Sequence, residues 1–386
     1  MIPRVLESRL REMAGWFPVV SVTGPRQSGK STLVKSAFPD YAYVNLEDPQ
    51  IRREALEDPV GFVRNRPGRL IIDEAQHAPE LFSMVQVASD EAAETGRYVL
   101  TGSQNFLLLK RISQSLAGRT GILKLLPLSY AEALAADAAL SPEGFMLSGG
   151  YPRVHATGMP PSVFFGSYVD TYVERDVAGY LDVRNLASFR AFLRLCALGA
   201  GSLVNYAGLA RDAGVDARTA KSWLSMLESS YVAFALPPYH ANEGKRLTKS
   251  PKIYFYDTGL LCHLLGIKSE SELLLGPHLG PVFENLVVAE RLKARLNRGE
   301  EPRLMFYRDA NGAEVDLIDL TDASAPLAVE VKSGQTYRDS FARHLGRVGD
   351  ALGIPPEGRA VVARVESGFR ARGAAVIAAR DWLQSL

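Results

Sequence analysis

Little in this 386-residue sequence advertises excess charge, a membrane or redox chemistry. Its 44 Lys+Arg and 43 Asp+Glu leave a formal net charge of +1. No global field therefore draws in nucleic acid or an anionic surface, and any such partner must be met by a local patch. Only two cysteines occur, Cys196 and Cys262, both in apolar surroundings. They read as buried thiols of a reducing compartment and argue against a disulfide framework. No stretch approaches 18 uncharged apolar residues, and the opening MIPRVLESRLREMAGW carries Arg4, Glu7, Arg9, Arg11 and Glu12 where a leader would be apolar. The expectation is a soluble cytoplasmic protein with no membrane partner. With 47% hydrophobic residues, the chain is long enough for two or three domains.

What is present starts at residues 19–36, VVSVTGPRQSGKSTLVKS. Val19 to Thr23 are apolar or β-branched and suit a buried parallel strand. Gly24, Pro25, Arg26, Gln27, Ser28, Gly29, Lys30 and Ser31, followed by Thr32, complete a G-x-x-x-x-G-K-[ST] phosphate loop. A helix pattern with Leu33, Val34 and Ala37 follows. Glycines let the backbone curl so that successive N–H groups face one anion, and the helix N-terminus adds its partial positive charge there. Lys30 is expected on the β- and γ-phosphates of ATP, and the Ser31 hydroxyl on Mg²⁺. About forty residues on, the apolar strand Arg69–Ile72 ends in Asp73 and Glu74. Asp73 is the expected holder of the Mg²⁺ shell, and Glu74 the base that polarises the attacking water.

Alternating strand and helix signals run to about residue 135 and predict a parallel sheet covered on both faces. A helix at 4–15 is expected to pack beside the nucleotide. Strands are expected at 41–46, 69–74, 97–103 and 121–126, with helices at 49–64 and 79–95. Ligands of such sheets sit at the carboxyl ends of strands, so Ser103, or else Asn105, is a candidate sensor of the γ-phosphate. Arg119 is a candidate arginine finger, because charge developing on the γ-phosphate needs a cation; a solvated arginine is the alternative.

Residues 136–200 read as mostly helical, with a loop at Gly149–Pro152. Within them Tyr168 to Asp182, YVDTYVERDVAGYLD, reads as a helix at a domain or subunit junction, or as an ordinary amphipathic helix. Residues 201–265 change character. A short helix, a turn at Gly214 and a second helix capped by Asp216 form a helix-turn-helix, followed by two strands around a polar loop. That is the plan of a winged helix. Arg218 and Lys221 on its second helix and Lys245, Arg246 and Lys249 in its wing are candidate DNA contacts; a plain protein-contact module is the competing reading.

Residues 266–386 carry a second chemical signal. Glu284 lies near the start of an apolar helix, Asp316 on a hairpin strand, and Glu330 and Lys332 two apart on the next strand. Alternation puts Glu330 and Lys332 on one face, with Asp316 beside them. Two carboxylates with a lysine form a nuclease-like pattern that binds a divalent cation and positions water.

Taken together, GPRQSGKST, LIIDEAQ, LTGSQN, SLAGR…LPLS, YVERDV, GGYP and FENLVVAE…EVDLI…EVKSG resemble the prokaryotic AAA-type P-loop ATPases with an uncharacterised C-terminal domain. The resemblance covers nearly the whole chain. It implies an α/β ATPase domain over 1–135 and a helical region over 136–200. A winged helix over 201–265 and a domain similar to PD-(D/E)xK nucleases over 266–386 complete it. No second-sensor arginine is identifiable by motif, which leaves the homo-oligomeric ring of related ATPases open. The expected function is Mg²⁺-dependent ATP hydrolysis coupled to binding or remodelling of DNA, branched DNA included. The alternative is a nucleotide-gated regulatory switch acting on a protein partner, with the nuclease-like fold as a non-cleaving platform.

Overall fold

The structure, a computed structural model, describes residues 2–92, 94–103, 112, 115–173, 186–239, 250–309, 311–371 and 373–386. Its first sheet consists of β1 (Val19–Thr23), β2 (Ala42–Asn45), β3 (Leu70–Asp73), β4 (Tyr98–Gly102) and β5 (Thr120–Lys124). All pairings are parallel, in the order β2-β3-β4-β1-β5. Helices α1 (Leu6–Trp16) and α2 (Lys30–Ala37) cover one face; α3 (Pro49–Glu57), α4 (Pro59–Arg64) and α5 (Leu81–Ala92) cover the other. Strands β1, β3 and β4 are buried throughout, so alternate side chains feed two apolar layers. Leu70, Ile72, Tyr98 and Leu100 pack with Phe62, Leu81 and Phe82. Ile71, Val99, Val20 and Val22 pack with Leu6, Leu10, Leu33 and Val34. The single helix expected over 49–64 is two, because Pro59 cannot extend a helix and Asp58 caps the next one at Gly61 N.

After β5 the apolar side chains change allegiance. From Leu128 to Leu383 most of them belong to a second core, beside a separate cluster around Val315, Ile318, Leu345 and Val361 and a small one of Leu126, Tyr231 and Leu296. Helix α6 (Tyr130–Leu134), fixed by a Ser129–Glu132 capping box, already buries Tyr130 and Ala133 in the second core. Helices α7 (Pro142–Ser148), α8 (Pro152–Thr157), α9 (Pro161–Tyr168), which runs on into a π turn over Val169–Val173, and α10 (Leu186–Leu198) follow among the described residues. Both cysteines lie buried in the same core.

Helices α11 (Tyr206–Ala213) and α12 (Ala217–Ser229) start at the side-chain caps Asn205 and Asp216 and are joined through Gly214 at φ 69°. The antiparallel ribbon β6 (Ala233–Leu236) and β7 (Lys252–Phe255) comes next. Helices α13 (Thr258–Leu265), α14 (Glu270–Leu275) and α15 (Leu279–Asn297) lead to the second sheet. Its strands are β8 (Leu304–Arg308), β9 (Glu314–Asp319), β10 (Leu327–Lys332), β11 (Arg359–Ala363), β12 (Phe369–Ala371) and β13 (Ala374–Ala378), in the order β12-β13-β11-β10-β9-β8. β8, β9 and β10 pair antiparallel, whereas β11 is parallel to β10 and β13. Helix α16 (Leu345–Leu352) is the crossover from β10 to β11, and α17 (Ala379–Ser385) packs on the second core. Among the described residues no helix is long and apolar enough to cross a membrane.

The junction between the two cores is tight at Gly150. Its carbonyl accepts from Leu128 N at 2.6 Å, its N–H donates to Asp257, and a Cβ there would lie 2.1 Å from Leu128 O. Gly150→Ala is expected to cost about 1–3 kcal/mol in urea unfolding, because backbone must move. Gly346→Ala is the control. Gly346 sits in α16, and a Cβ added there would meet nothing within 4 Å, so that change is expected to be neutral or to stabilise by up to about 1 kcal/mol.

Candidate active site

The phosphate loop bridges the carboxyl end of β1 and the start of α2. Gly24, at φ 154°, lies where a Cβ would sit 2.0 Å from Leu125 O, so only glycine lets the loop pass β5. Gly29, at φ 94°, is the N-cap of α2, which has no side-chain cap and no acid in its first turn. Its first N–H groups and dipole are thus left for an anion. Ser28 Oγ is buried without a hydrogen-bond partner in the same loop. Lys30 Nζ donates to the loop carbonyls of Gly24 (3.0 Å) and Pro25 (2.8 Å). These residues fit a nucleoside triphosphate.

The acids of β3 come to the same place, and their neighbours fix them. Asp73 accepts from Thr101 Oγ1, from Tyr43 OH at 2.6 Å and from Glu74 N at 3.2 Å. Tyr43 also hydrogen-bonds Ser31; burial and the bond to Asp73 raise its hydroxyl far above the usual range. Ser31, Asp73 and the intervening Tyr43 therefore form an oxygen-rich corner suited to Mg²⁺. Glu74 adopts φ 53°, a left-handed conformation that L-residues adopt at some cost. It directs the carboxylate back to β4, where Oε2 accepts from Ser103 N (3.2 Å), Ser103 Oγ (2.9 Å) and Gln76 Nε2. Ser103 is thus placed against the Glu74 carboxylate, while Asn105 lies outside the described residues.

A cavity of about 730 Å³ opens on this corner, lined by Gln27, Lys30, Ser31, Thr32 and Glu74. Ile2, Arg4 and the α1 residue Glu7 close one side. Arg153 and Ala156 of α8 close another. Sequence reading takes GGYP only as a loop. The structure shows that it launches α8, which carries the exposed Arg153 to the cavity wall. Arg26 also lines the cavity, within 3.5 Å of Glu47.

Arg119 does not reach this cavity. It immediately precedes β5 and so lies at the amino ends of the parallel strands, opposite the phosphate loop. There its guanidinium grips both oxygens of Asp90 at 2.6 and 3.1 Å. A finger role within this chain's own site is therefore corrected: the residue before a parallel strand starts at the wrong end of the sheet.

In the second sheet, Glu284, Asp316, Glu330 and Lys332 do converge. Lys332 Nζ lies 2.7 Å from Glu330 Oε2 and 3.6 Å from Asp316 Oδ2, which also accepts from Val331 N at 2.8 Å. Burial, then the neighbouring Asp316, pushes the Glu330 carboxyl up to about 9. Sequence reading misses a further member, Lys252, which opens β7 and reaches Glu284, Glu314 and Asp316. Arg218 and Lys221 are exposed on α12, whose inner face is Ala220, Trp223, Leu224 and Leu227. Lys245, Arg246 and Lys249, and most of the Tyr168–Asp182 segment, lie outside the described residues.

Burial lowers Lys30 to about 8, against the opposing pull of Glu74 and Asp73. Phosphate favours the protonated amine, so nucleotide binding is expected to take up a proton near and above pH 8. Affinity for Mg·ADP should fall as pH rises from 7 to 9.5, approaching tenfold per unit at the upper end. Calorimetry in buffers of different ionisation enthalpy reads the uptake. Lys30→Arg, always charged, should remove it; equal affinity at pH 7 and 9.5 in the wild type contradicts the assignment.

Comparison with known proteins adds three domain matches. Residues 17–134 match an AAA domain, residues 141–271 a domain of unknown function (DUF8612), and residues 279–382 another (DUF4143). Uncharacterized proteins of Mycobacterium tuberculosis and Mycobacterium bovis are 35% identical over 336 residues, covering 85% of this chain and 73% of theirs. An uncharacterized protein of Haemophilus influenzae is 23% identical over 305 residues, 70% of this chain and 74% of its own. Among solved structures, a Walker-type ATPase of Pyrococcus abyssi matches at 15% identity, covering 69% of this chain and 96% of that one, with a TM-score of 0.44. AMPPCP-bound DnaA from Aquifex aeolicus matches at 14% identity over 58% and 86%, with a TM-score of 0.30. The chain belongs to the family of these mycobacterial proteins, and it carries an AAA-type P-loop ATPase domain followed by two domains of unknown function.

Proposed function

We propose that this chain hydrolyses ATP with Mg²⁺ and couples the cycle to binding or remodelling of DNA. The observation that carries the hydrolytic half is that Lys30, Ser31 and Glu74 line one cavity, with Asp73 directly behind them, bonded to Tyr43 OH and Glu74 N. Lys30 leaves the Gly24 and Pro25 carbonyls to bind β- and γ-oxygens. Ser31 and Asp73 hold Mg²⁺, which neutralises phosphate charge when bound. Glu74 accepts the proton of the attacking water, and Ser103 fixes the carboxylate that does so. Arg153 supplies the cation that Arg119 does not, approaching the γ-phosphate from α8.

DNA is the proposed partner of the C-terminal half. Three helices followed by an antiparallel ribbon read as a winged helix, and Arg218 and Lys221 stand on the outward face of α12. The succession helix, three antiparallel strands, helix, parallel strand in 279–363 reads as nuclease-like. A nucleotide-gated switch acting on a protein is favoured by one observation. The β1 end is bonded directly to the C-terminal half, through Thr23 Oγ1 and the buried Tyr231 OH at 2.8 Å.

Steady-state ATP turnover with and without single-stranded, duplex and four-way-junction DNA separates the two, with Lys30→Ala as the blank. Stimulation by one DNA form, diminished in an Arg218→Glu/Lys221→Glu variant, is expected. Turnover that no DNA form changes would abandon the DNA reading for the switch. In the same assay Arg153→Ala should lower turnover by about 10²-fold; unchanged turnover would remove Arg153 from the site.

A further inference from the structure

The second sheet brings together the carboxylates that a nuclease-like site needs for a divalent cation, yet the position between them is already taken. Lys252 Nζ lies 2.7 Å from Glu314 Oε1, 3.1 Å from Glu284 Oε1 and 3.8 Å from Asp316 Oδ1. Its side chain is 4% exposed, and its ammonium also lies 5.5 Å from the centre of the Phe306 ring. Tyr254, two residues along β7 and on the same face, donates to Glu284 Oε1 at 2.6 Å. On the other side, Lys332 is shared by Glu330 and Asp316. The two oxygens of Asp316 thus each face an ammonium, Lys252 at Oδ1 and Lys332 at Oδ2. A divalent cation needs several of these oxygens at about 2.0–2.6 Å. Held by Glu284, Glu314 and Asp316 Oδ1, it would come into direct contact with the buried ammonium of Lys252; held by Asp316 Oδ2 and Glu330, it would meet that of Lys332, and in either place the low dielectric magnifies the like-charge repulsion.

We propose that Lys252 is the resident cation of this cluster, so that the carboxylates of the second sheet clasp the β6–β7 ribbon instead of holding a catalytic metal. The clasp joins segments that match different domain families: Lys252 lies within 141–271, whereas Glu284, Glu314 and Asp316 lie within 279–382. Lys252 is also the first residue of β7. Wherever the ribbon goes, this ammonium goes with it, and the clasp fixes the start of the strand to β9 and α15. The clasp requires neither DNA as the partner nor ATP turnover. Its consequence is that the C-terminal unit does not cleave phosphodiesters by a metal-dependent route while Lys252 is seated.

The test is Mn²⁺ binding to the nucleotide-free full chain, read from the loss of the free-ion signal in electron paramagnetic resonance. Wild type and Asp316→Asn are expected to bind the same number of Mn²⁺, since the cluster holds none. Lys252→Met should gain one Mn²⁺ per chain, and adding Asp316→Asn should remove it. Lys252→Met should also melt lower than wild type, with Mn²⁺ restoring part of the loss. Lys252→Gln, which keeps a hydrogen-bond donor, serves if the methionine variant does not fold. A wild-type Mn²⁺ site that Asp316→Asn abolishes would overturn the proposal. So would folded Lys252 variants that gain no metal.

Discussion

Three acceptors from distant parts of the chain converge on the guanidinium of Arg4. Its Nη1 donates to Ser28 O in the phosphate loop at 2.8 Å, Nη2 to Leu126 O at 2.7 Å, and Nε to Glu132 Oε1 at 3.1 Å. Glu132 also accepts from Val5 N and from Ser129 N. Arg4 and Glu132 expose 7% and 2% of their side chains, so each must be satisfied by the other and by backbone. The network continues inward. Tyr130 N donates to Glu290, which pairs with Lys293, which returns to Leu128 O. The loop that cradles phosphate is thus tied to α6 and α15 through buried charge. Removing one member leaves an uncompensated ion, a far larger penalty than an exposed pair would impose.

A similar economy governs the catalytic corner. Among the described residues, the non-glycines at positive φ are Gln27, Glu74 and Tyr231. One is in the phosphate loop, one is the proposed base, and one is the tyrosine bonded to the end of β1. Strain of this kind persists where surrounding contacts over-determine it. At Glu74 those contacts are Ser103 and Gln76; at Tyr231 they are Thr23, the ring of Tyr256 and the small apolar cluster around Leu126. The P-loop side of the molecule and the C-terminal half therefore meet through oriented polar contacts as well as apolar packing.

How much of this is legible in the sequence depends on how local the geometry is. The phosphate loop, the acid-tipped β3 and the covered sheet are written in contiguous residues, because glycine placement and period-two burial are local properties. The meeting of Asp316, Glu330 and Lys332 follows from strand alternation within a hairpin and its neighbour. Lys252, Tyr43, Arg153 and Arg4 are not legible in that way. Each reaches its site from another element, and a lone Lys, Tyr or Arg carries no spacing signal. Arg119 is instructive for its own site, since a residue that precedes a parallel strand lies at the end of its own sheet away from the ligand. Capping at Ser129 marks where a helix starts but says nothing of which core it packs on.

The central claim is that Glu74, held by Ser103 and bent by its left-handed backbone, is the base for ATP hydrolysis at the Lys30–Ser31–Asp73 corner. Single-turnover hydrolysis of ATP by wild type and Glu74→Gln, with nucleotide affinity measured in parallel, tests it most directly. The account predicts that the variant binds ATP within a few-fold of wild type while the chemical step slows by about 10²–10⁴. Hydrolysis at the wild-type rate, with ATP bound normally, would contradict it.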